Sequence, residues 1–169
     1  MALRDLIRRR TVRVFQPQAP SPDTVRRLIE TVRWTGSARN RQPWRFVAVY
    51  DAASRAALAG LGAYAGHVAA APLVLVLLEP ADRRLDTEFD LGRVAQSLTL
   101  AATDAGLGSC VVSLYPEENS RAAAALVGAG PEWSARHAIA LGLPAEPPTG
   151  GRSAIPLGRH DVDELLRVI

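Results

Sequence analysis

DLGRVAQSLTLAATDAGLGSCVV, Asp90 to Val112, carries an apolar helix, a glycine stop and the start of a strand in one unbroken stretch. Leu91, Val94, Ala95, Leu98, Ala101, Ala102 and Ala105 fall on more than one stripe at helical spacing, with Gln96, Ser97 and Thr99 as the polar exceptions. This spacing predicts a helix from about Thr87 to Ala105, apolar nearly all round, at the centre of the fold or between subunits. Gly106 and Gly108 end the helix and permit a tight approach. They follow a helix instead of opening one, and the pair is too short for a dinucleotide fingerprint, so a Rossmann fold is rejected.

Working outward, WRFVAVY (Trp44–Tyr50) alternates as a strand, and PLVLVLLEP (Pro72–Pro80) reads as a strand buried on both faces. Ser21, Pro22 and Asp23 form a helix start ahead of the stripe Val25, Leu28, Ile29 and Val32, and Asp51 caps a short alanine-rich helix. Leu3, Leu6 and Ile7 keep helical spacing before an extended run. GLGSCVVSLYP supplies a glycine turn and a short strand, followed by a helix from about Glu117 to Val127 and a strand from about His137 to Leu143. Pro144 to Gly158 reads as a surface excursion, and Asp161 to Ile169 as a terminal helix or strand arm. The alternation predicts an α+β layer fold in one domain, residues 1–169, whose sheet order the residues do not reveal.

The 169 residues are 48% hydrophobic and 22% charged, ordinary for a globular chain. No apolar run approaches the roughly 18 residues of a membrane span, and MALRDLIRRR has no cleavable leader, so a cytoplasmic location is the expectation, without membrane partners. Cys110 stands alone, which excludes an internal disulfide and any multi-cysteine metal site; no metal is expected. All 20 basic residues are arginine, so Schiff-base chemistry is excluded and clustered guanidinium groups become candidates for anion binding. The net charge of +3 is too small to argue for nucleic acid.

Two segments exceed what connections require. In RRTVR, extended backbone would put Arg9, Thr11 and Arg13 on one side, where two guanidinium groups and a hydroxyl can converge on a phosphate. In SARNRQPW, Ser37, Asn40 and Gln42 offer uncharged donors and acceptors and Pro43 stiffens the exit, a set suited to a planar polar heterocycle. His67, His137 and His160 are scattered and read as surface or packing residues, Cys110 as buried, and no nucleophile, base and orienter set is present.

Together, RRTVRVF (Arg9–Phe15) and WTGSARNRQPWRFVAV (Trp34–Val49) resemble the amino-terminal signature of the nitroreductase family of flavoproteins. Asp90–Val112 resembles that family's central helix and following strand, HAIALGLPAE its late strand, and GRHDVDELL (Gly158–Leu166) its carboxy-terminal arginine segment. The resemblance implies an α+β fold with a central, mostly antiparallel sheet flanked by helices, and a homodimer with FMN at the subunit interface. It implies that Arg9, Arg10, Thr11, Arg13 and Arg159 hold the FMN phosphate. Ser37 and Asn40 of the partner subunit, with Gln42 nearby, would contact the isoalloxazine, and Ser113 and Leu114 would lie at its face or N5 edge. The implied activity is a ping-pong transfer of electrons from NADH or NADPH to a small acceptor such as a nitroaromatic or quinone. A flavin needs a phosphate clamp, polar contacts along its pyrimidine edge and an open face, and no catalytic side chain.

Gly36 stands where the family often has proline, and Ser113-Leu114 where several members carry an acidic residue and glycine. Only about twenty residues separate Tyr50 from Pro72, which implies a more open site than in members with a longer excursion there. The alternatives are a specialised flavin dehydrogenase, deiodinase or flavin-cleaving enzyme on the same scaffold, or an anion- or nucleic-acid-binding module that uses the arginines alone.

Overall fold

The computed structural model describes residues 2–9, 11–82, 84–146 and 158–169. Helix α1 (Leu3–Arg8) leads through extended chain to α2 (Pro22–Val32), and β1 (Arg45–Val49), α3 (Ala52–Ala59), β2 (Leu73–Pro80) and α4 (Leu85–Asp104) follow. The chain continues through β3 (Gly108–Ser113), α5 (Glu117–Leu126), β4 (Trp133–Gly142) and α6 (Val162–Leu165). The local signals act as expected. Ser21 Oγ accepts from the Thr24 N–H at 3.2 Å with Pro22 in the first turn of α2, and Asp51 accepts from the Ser54 N–H at 2.7 Å at the start of α3.

The strands form one antiparallel sheet in the order β1-β2-β4-β3, so β2 and β4 are central and β3 is an edge. Alternate residues of β2 serve opposite cores, which explains its unbroken aliphatic run. Val74, Val76 and Leu78 pack with Leu58, Val68, Ala123 and Ala124 on one face; Leu73, Leu75 and Leu77 pack with Leu28, Val32, Leu91, Val94 and Leu98 on the other. Helices α3 and α5 thus cover one side, and α2 and α4 the other. Among the described residues no helix is long and apolar enough to cross a membrane.

Strand β4 begins at Trp133, four residues before the sequence-based expectation. Ser134 and Trp133 pair with Glu79 and Pro80 across an irregularity after Leu77, so polar WSAR belongs to the sheet although its pattern lacks apolar alternation. The terminal segment is a single helical turn, and every described residue from Gly158 to Ile169 is exposed. Leu3 and Ile7 of α1 are 64% and 58% exposed while Leu6 is half-buried, so the described residues cover only part of the apolar face of α1. Most of the excursion read from Pro144 to Gly158 lies outside the described residues.

Candidate functional site

The arginine segment runs beside the edge strand. Val12 donates its N–H to Ser109 O at 2.9 Å, while Gln16 N–H donates to Leu143 O and Ala145 N–H to Val14 O, so the segment is bound at both ends to the β3 and β4 region. The fit depends on Gly108: a Cβ there would stand 2.7 Å from Val12 Cβ, closer than packed carbon atoms come. With Val12 turned inward, Arg9, Thr11 and Arg13 face outward, as the alternation predicts, and line a cleft of about 380 Å³. Gln96, Thr99 and Thr103 of α4 form its other wall, and Gly108, Ser109 and Val111 its floor. Among the described residues neither Arg9 nor Arg13 forms an ion pair with a carboxylate. Asp104 lines the same cleft without pairing to them. Two guanidinium groups without a carboxylate partner, beside the hydroxyls of Thr11, Thr99 and Thr103, suit an anion such as a phosphate monoester. Arg10 lies outside the described residues.

A second pocket of about 350 Å³ continues along β3, lined by Arg13, Tyr64, His67, Cys110, Val111, Ser113 and Tyr115. It shares Arg13 and Val111 with the first, so the open face of β3 carries a continuous concave strip from Arg9 to Ser113. The wall containing Tyr64 and His67 is drawn in by Gly62, whose backbone packs against the Ser113 carbonyl so closely that no Cβ fits. Ser113 Oγ lies 3.3 Å from His137 Nδ1 of β4. Leu114 stands behind this face: its side chain is fully buried and its N–H donates to Arg136 O, so Ser113 alone of the pair presents a side chain.

Arg13 sets the electrostatics of the second pocket. Burial first, then the Arg13 guanidinium, lower the His67 pKa, against a raising main-chain hydrogen bond to Tyr64. His67 Nε2 is buried with no partner among the described residues, leaving a bare ring nitrogen beside the pocket. Burial pushes the Cys110 thiol up despite Arg13, in keeping with a packing role.

The polar loop lies elsewhere. Ser37 Oγ accepts from the Gln42 N–H at 2.9 Å, and Gln42 Nε2 donates to Asn40 Oδ1 at 3.0 Å. Asp90, almost fully buried on α4, accepts from the Ala38 N–H at 2.8 Å, and Arg41 donates to Thr87 at 3.1 Å. These bonds hold Arg39, Asn40 and Gln42 at φ values of 53°, 53° and 48°, left-handed backbone that costs on the order of 1 kcal/mol per non-glycine residue. A strained, over-determined and exposed loop is a mark of a recognition surface. It rests on the first half of α4, whereas the arginine cleft uses Gln96 to Asp104. At 1.5 Å per helical residue, Asp90 and Thr99 stand about 14 Å apart. Ser37, Asn40 and Gln42 therefore line neither pocket within the chain. Arg159 lines neither pocket either, and donates to its own neighbour, Gly158 O, at 2.6 Å.

Sequence reasoning passed over Tyr64, Tyr115 and the role of Asp90, and read His67 as a surface or packing residue. Asp90 carried a signal: it sits four residues before Val94 and eight before Leu98, on a stripe otherwise buried. Tyr64 and His67 gave none, since only the folding of the Gly62 turn onto Ser113 brings them to the strip.

The profile described as Nitroreductase family matches residues 6–63 and 60–143. An NADH dehydrogenase of Thermus thermophilus is 34% identical over 110 residues, 60% of this chain; the match spans about half of that relative, 54% of its length. A candidate NADH dehydrogenase/NAD(P)H nitroreductase of Archaeoglobus fulgidus is 24% identical over 85% of this chain and 86% of its own. In three dimensions a nitroreductase family protein of Streptococcus pneumoniae TIGR4 superposes with a TM-score of 0.82 at 22% identity, covering 98% of this chain and 99% of that one. An FMN-dependent nitroreductase of Clostridium difficile R20291 gives 0.76 at 16% identity, over 92% and 98%. With the arginine segment, the α4–β3 unit and the late strand all inside the matched residues, the chain belongs to the nitroreductase family.

Proposed function

We propose that this protein is a homodimeric FMN-dependent oxidoreductase that takes electrons from NADH or NADPH and delivers them to a small acceptor such as a nitroaromatic or quinone. The carrying observation is the strip on β3, where unneutralised Arg9 and Arg13 lie at one end and an open face of Val111 and Ser113 at the other. The residues fit the cofactor. Arg9, Thr11 and Arg13 would hold its phosphate, Arg13 also standing beside the ring region. FMN, when bound, supplies the hydride and electron chemistry. The chain's part is to bind and orient: the guanidinium groups favour negative charge, and exposed Tyr64 and Tyr115 flank the opening where donor and acceptor enter in turn.

What one chain leaves incomplete supports the homodimer. The strained Ser37–Gln42 loop faces away from its own strip, and Leu3, Ile7, Leu85 and Phe89 are exposed along with the apolar side chains of residues 162–169. Pairing two chains would cover these groups and bring one protomer's loop, and its Arg159, to its partner's strip. The deciding experiment is the visible spectrum of the purified protein with added FMN, followed by anaerobic NADH and NADPH. A bound flavin that bleaches with either donor is expected; failure to bind FMN under any condition overturns the reading. Initial-rate lines at varied donor and acceptor should run parallel, and intersecting lines would exclude the alternating order.

A further inference from the structure

The open end of the strip carries one hydroxyl with a histidine behind it. Ser113 ends β3 and is exposed; His137 lies directly opposite on β4 and is half-buried. Alternation puts both on the face of Val111 and Ile139, the face that α4 covers over β4 but leaves open over the edge strand, where Val111 is 44% exposed. Ser113 Oγ and His137 Nδ1 are 3.3 Å apart. A serine hydroxyl has a single proton, so this contact decides what Ser113 offers a ligand. With Nδ1 bare, the hydroxyl donates to the imidazole and shows the strip only lone pairs. With Nδ1 protonated, the imidazole donates to Oγ and the hydroxyl proton is free to turn outward.

Burial is the largest influence on His137 and lowers its pKa, favouring the neutral ring. Glu88 of α4 and the Val112 carbonyl of β3 favour the imidazolium, and Arg136, its neighbour on β4, opposes it. Glu88 and Arg136 are themselves 3.7 Å apart, which blunts both. On β2 its register partner is the uncharged Leu77. The remaining charges at this end of the sheet are Glu79, Asp82 and Arg41, the last held by Asp82 at 3.5 Å, and on the strip itself Arg13.

We propose that His137 sets the direction of the Ser113 proton: the neutral ring accepts it, and the imidazolium, whose two nitrogens both donate, releases it toward a ligand on the strip. His137 is thus a positioning residue that acts through Ser113, and no proton leaves the pair. The inference rests on the flavin reading, because an oxidised flavin presents acceptor atoms along its edge and gains a donor only from the acid form of the pair.

Fluorescence titration with FMN at pH 5 and pH 8 tests this in the wild type, Ser113→Ala, His137→Phe and the double variant. The FMN phosphate titrates between these values in all four proteins, so ratios of affinity isolate the hydroxyl. Ser113→Ala should weaken FMN binding about fivefold at pH 5 and less than roughly twofold at pH 8, while in the His137→Phe background the penalty should be the same at both. Ring nitrogen resonances of His137 in the wild type without FMN test the direction apart from the cofactor, and Nδ1 should be the unprotonated nitrogen at pH 8. A protonated Nδ1 at pH 8, or FMN binding with equal Ser113→Ala penalties at both pH values, would overturn the assignment and leave the flavin reading standing. Failure of FMN to bind the wild type at either pH would overturn the flavin reading and this role with it.

Discussion

Arg13 stands where the cleft and the pocket meet, and its side chain is exposed, so its removal should cost binding more than folding. Arg13→Ala is expected to weaken FMN affinity at least tenfold, by fluorescence titration, with a melting temperature within a few degrees of the wild type. Loss of solubility without loss of flavin would remove Arg13 from the phosphate site. Glu79 makes the opposite kind of contribution. Its folded pKa, raised from 4.5 to about 7, means that the native state holds a proton the unfolded chain has released. Stability attached to this group is present below about pH 4.5 and is lost as pH rises through 7, by about 3 kcal/mol in all. Urea denaturation at pH 5 and pH 8 should show wild type losing stability relative to Glu79→Gln over that interval; parallel profiles would contradict the shift.

Helix α4 is where fold and site depend on the same element. Its Leu91, Val94 and Leu98 fill one core, Asp90 holds the strained loop, and Gln96, Thr99 and Thr103 wall the cleft. Leu98→Ala should cost about 2–5 kcal/mol in chemical denaturation, because a fully buried side chain leaves a cavity. Gly108→Val acts at the joint between β3 and the arginine segment. The added side chain collides with Val12, so a loss of about 1–3 kcal/mol and weaker FMN binding are expected together. Weakened folding with full flavin affinity would show that the seating of Val12 does not matter to the cleft. The limits of these elements were largely legible beforehand, since caps at Ser21 and Asp51 and the glycines after α4 are local signals. The first residues of β4 were not, because Trp133 and Ser134 join the sheet only through their pairing with Pro80 and Glu79.

Assembly is the remaining level. The exposed apolar groups of α1, α4 and residues 162–169 are a surface that water disfavours, and α4 carries Phe89 at 70% exposure in its midst. Phe89→Asp is expected to shift the proposed dimer to monomer in light scattering and to reduce FMN retention at the same time. A monomeric variant that keeps its flavin would place the whole cofactor site within one chain.

The nitroreductase membership was readable from the resemblance of its motifs, and the shared side of Arg9, Thr11 and Arg13 from residue order, because extended chain alternates. The strand order, the inward turn of Leu114 and the arrival of Tyr64 and His67 beside Arg13 depended on distant segments meeting across the sheet. So did the orphaned oxygen of Glu79: a glutamate after six aliphatic residues looks like the end of a strand until β4 extends far enough to bury it. Periodicity fixes which way a side chain turns from its own backbone, while its surroundings are set by chain that comes from elsewhere.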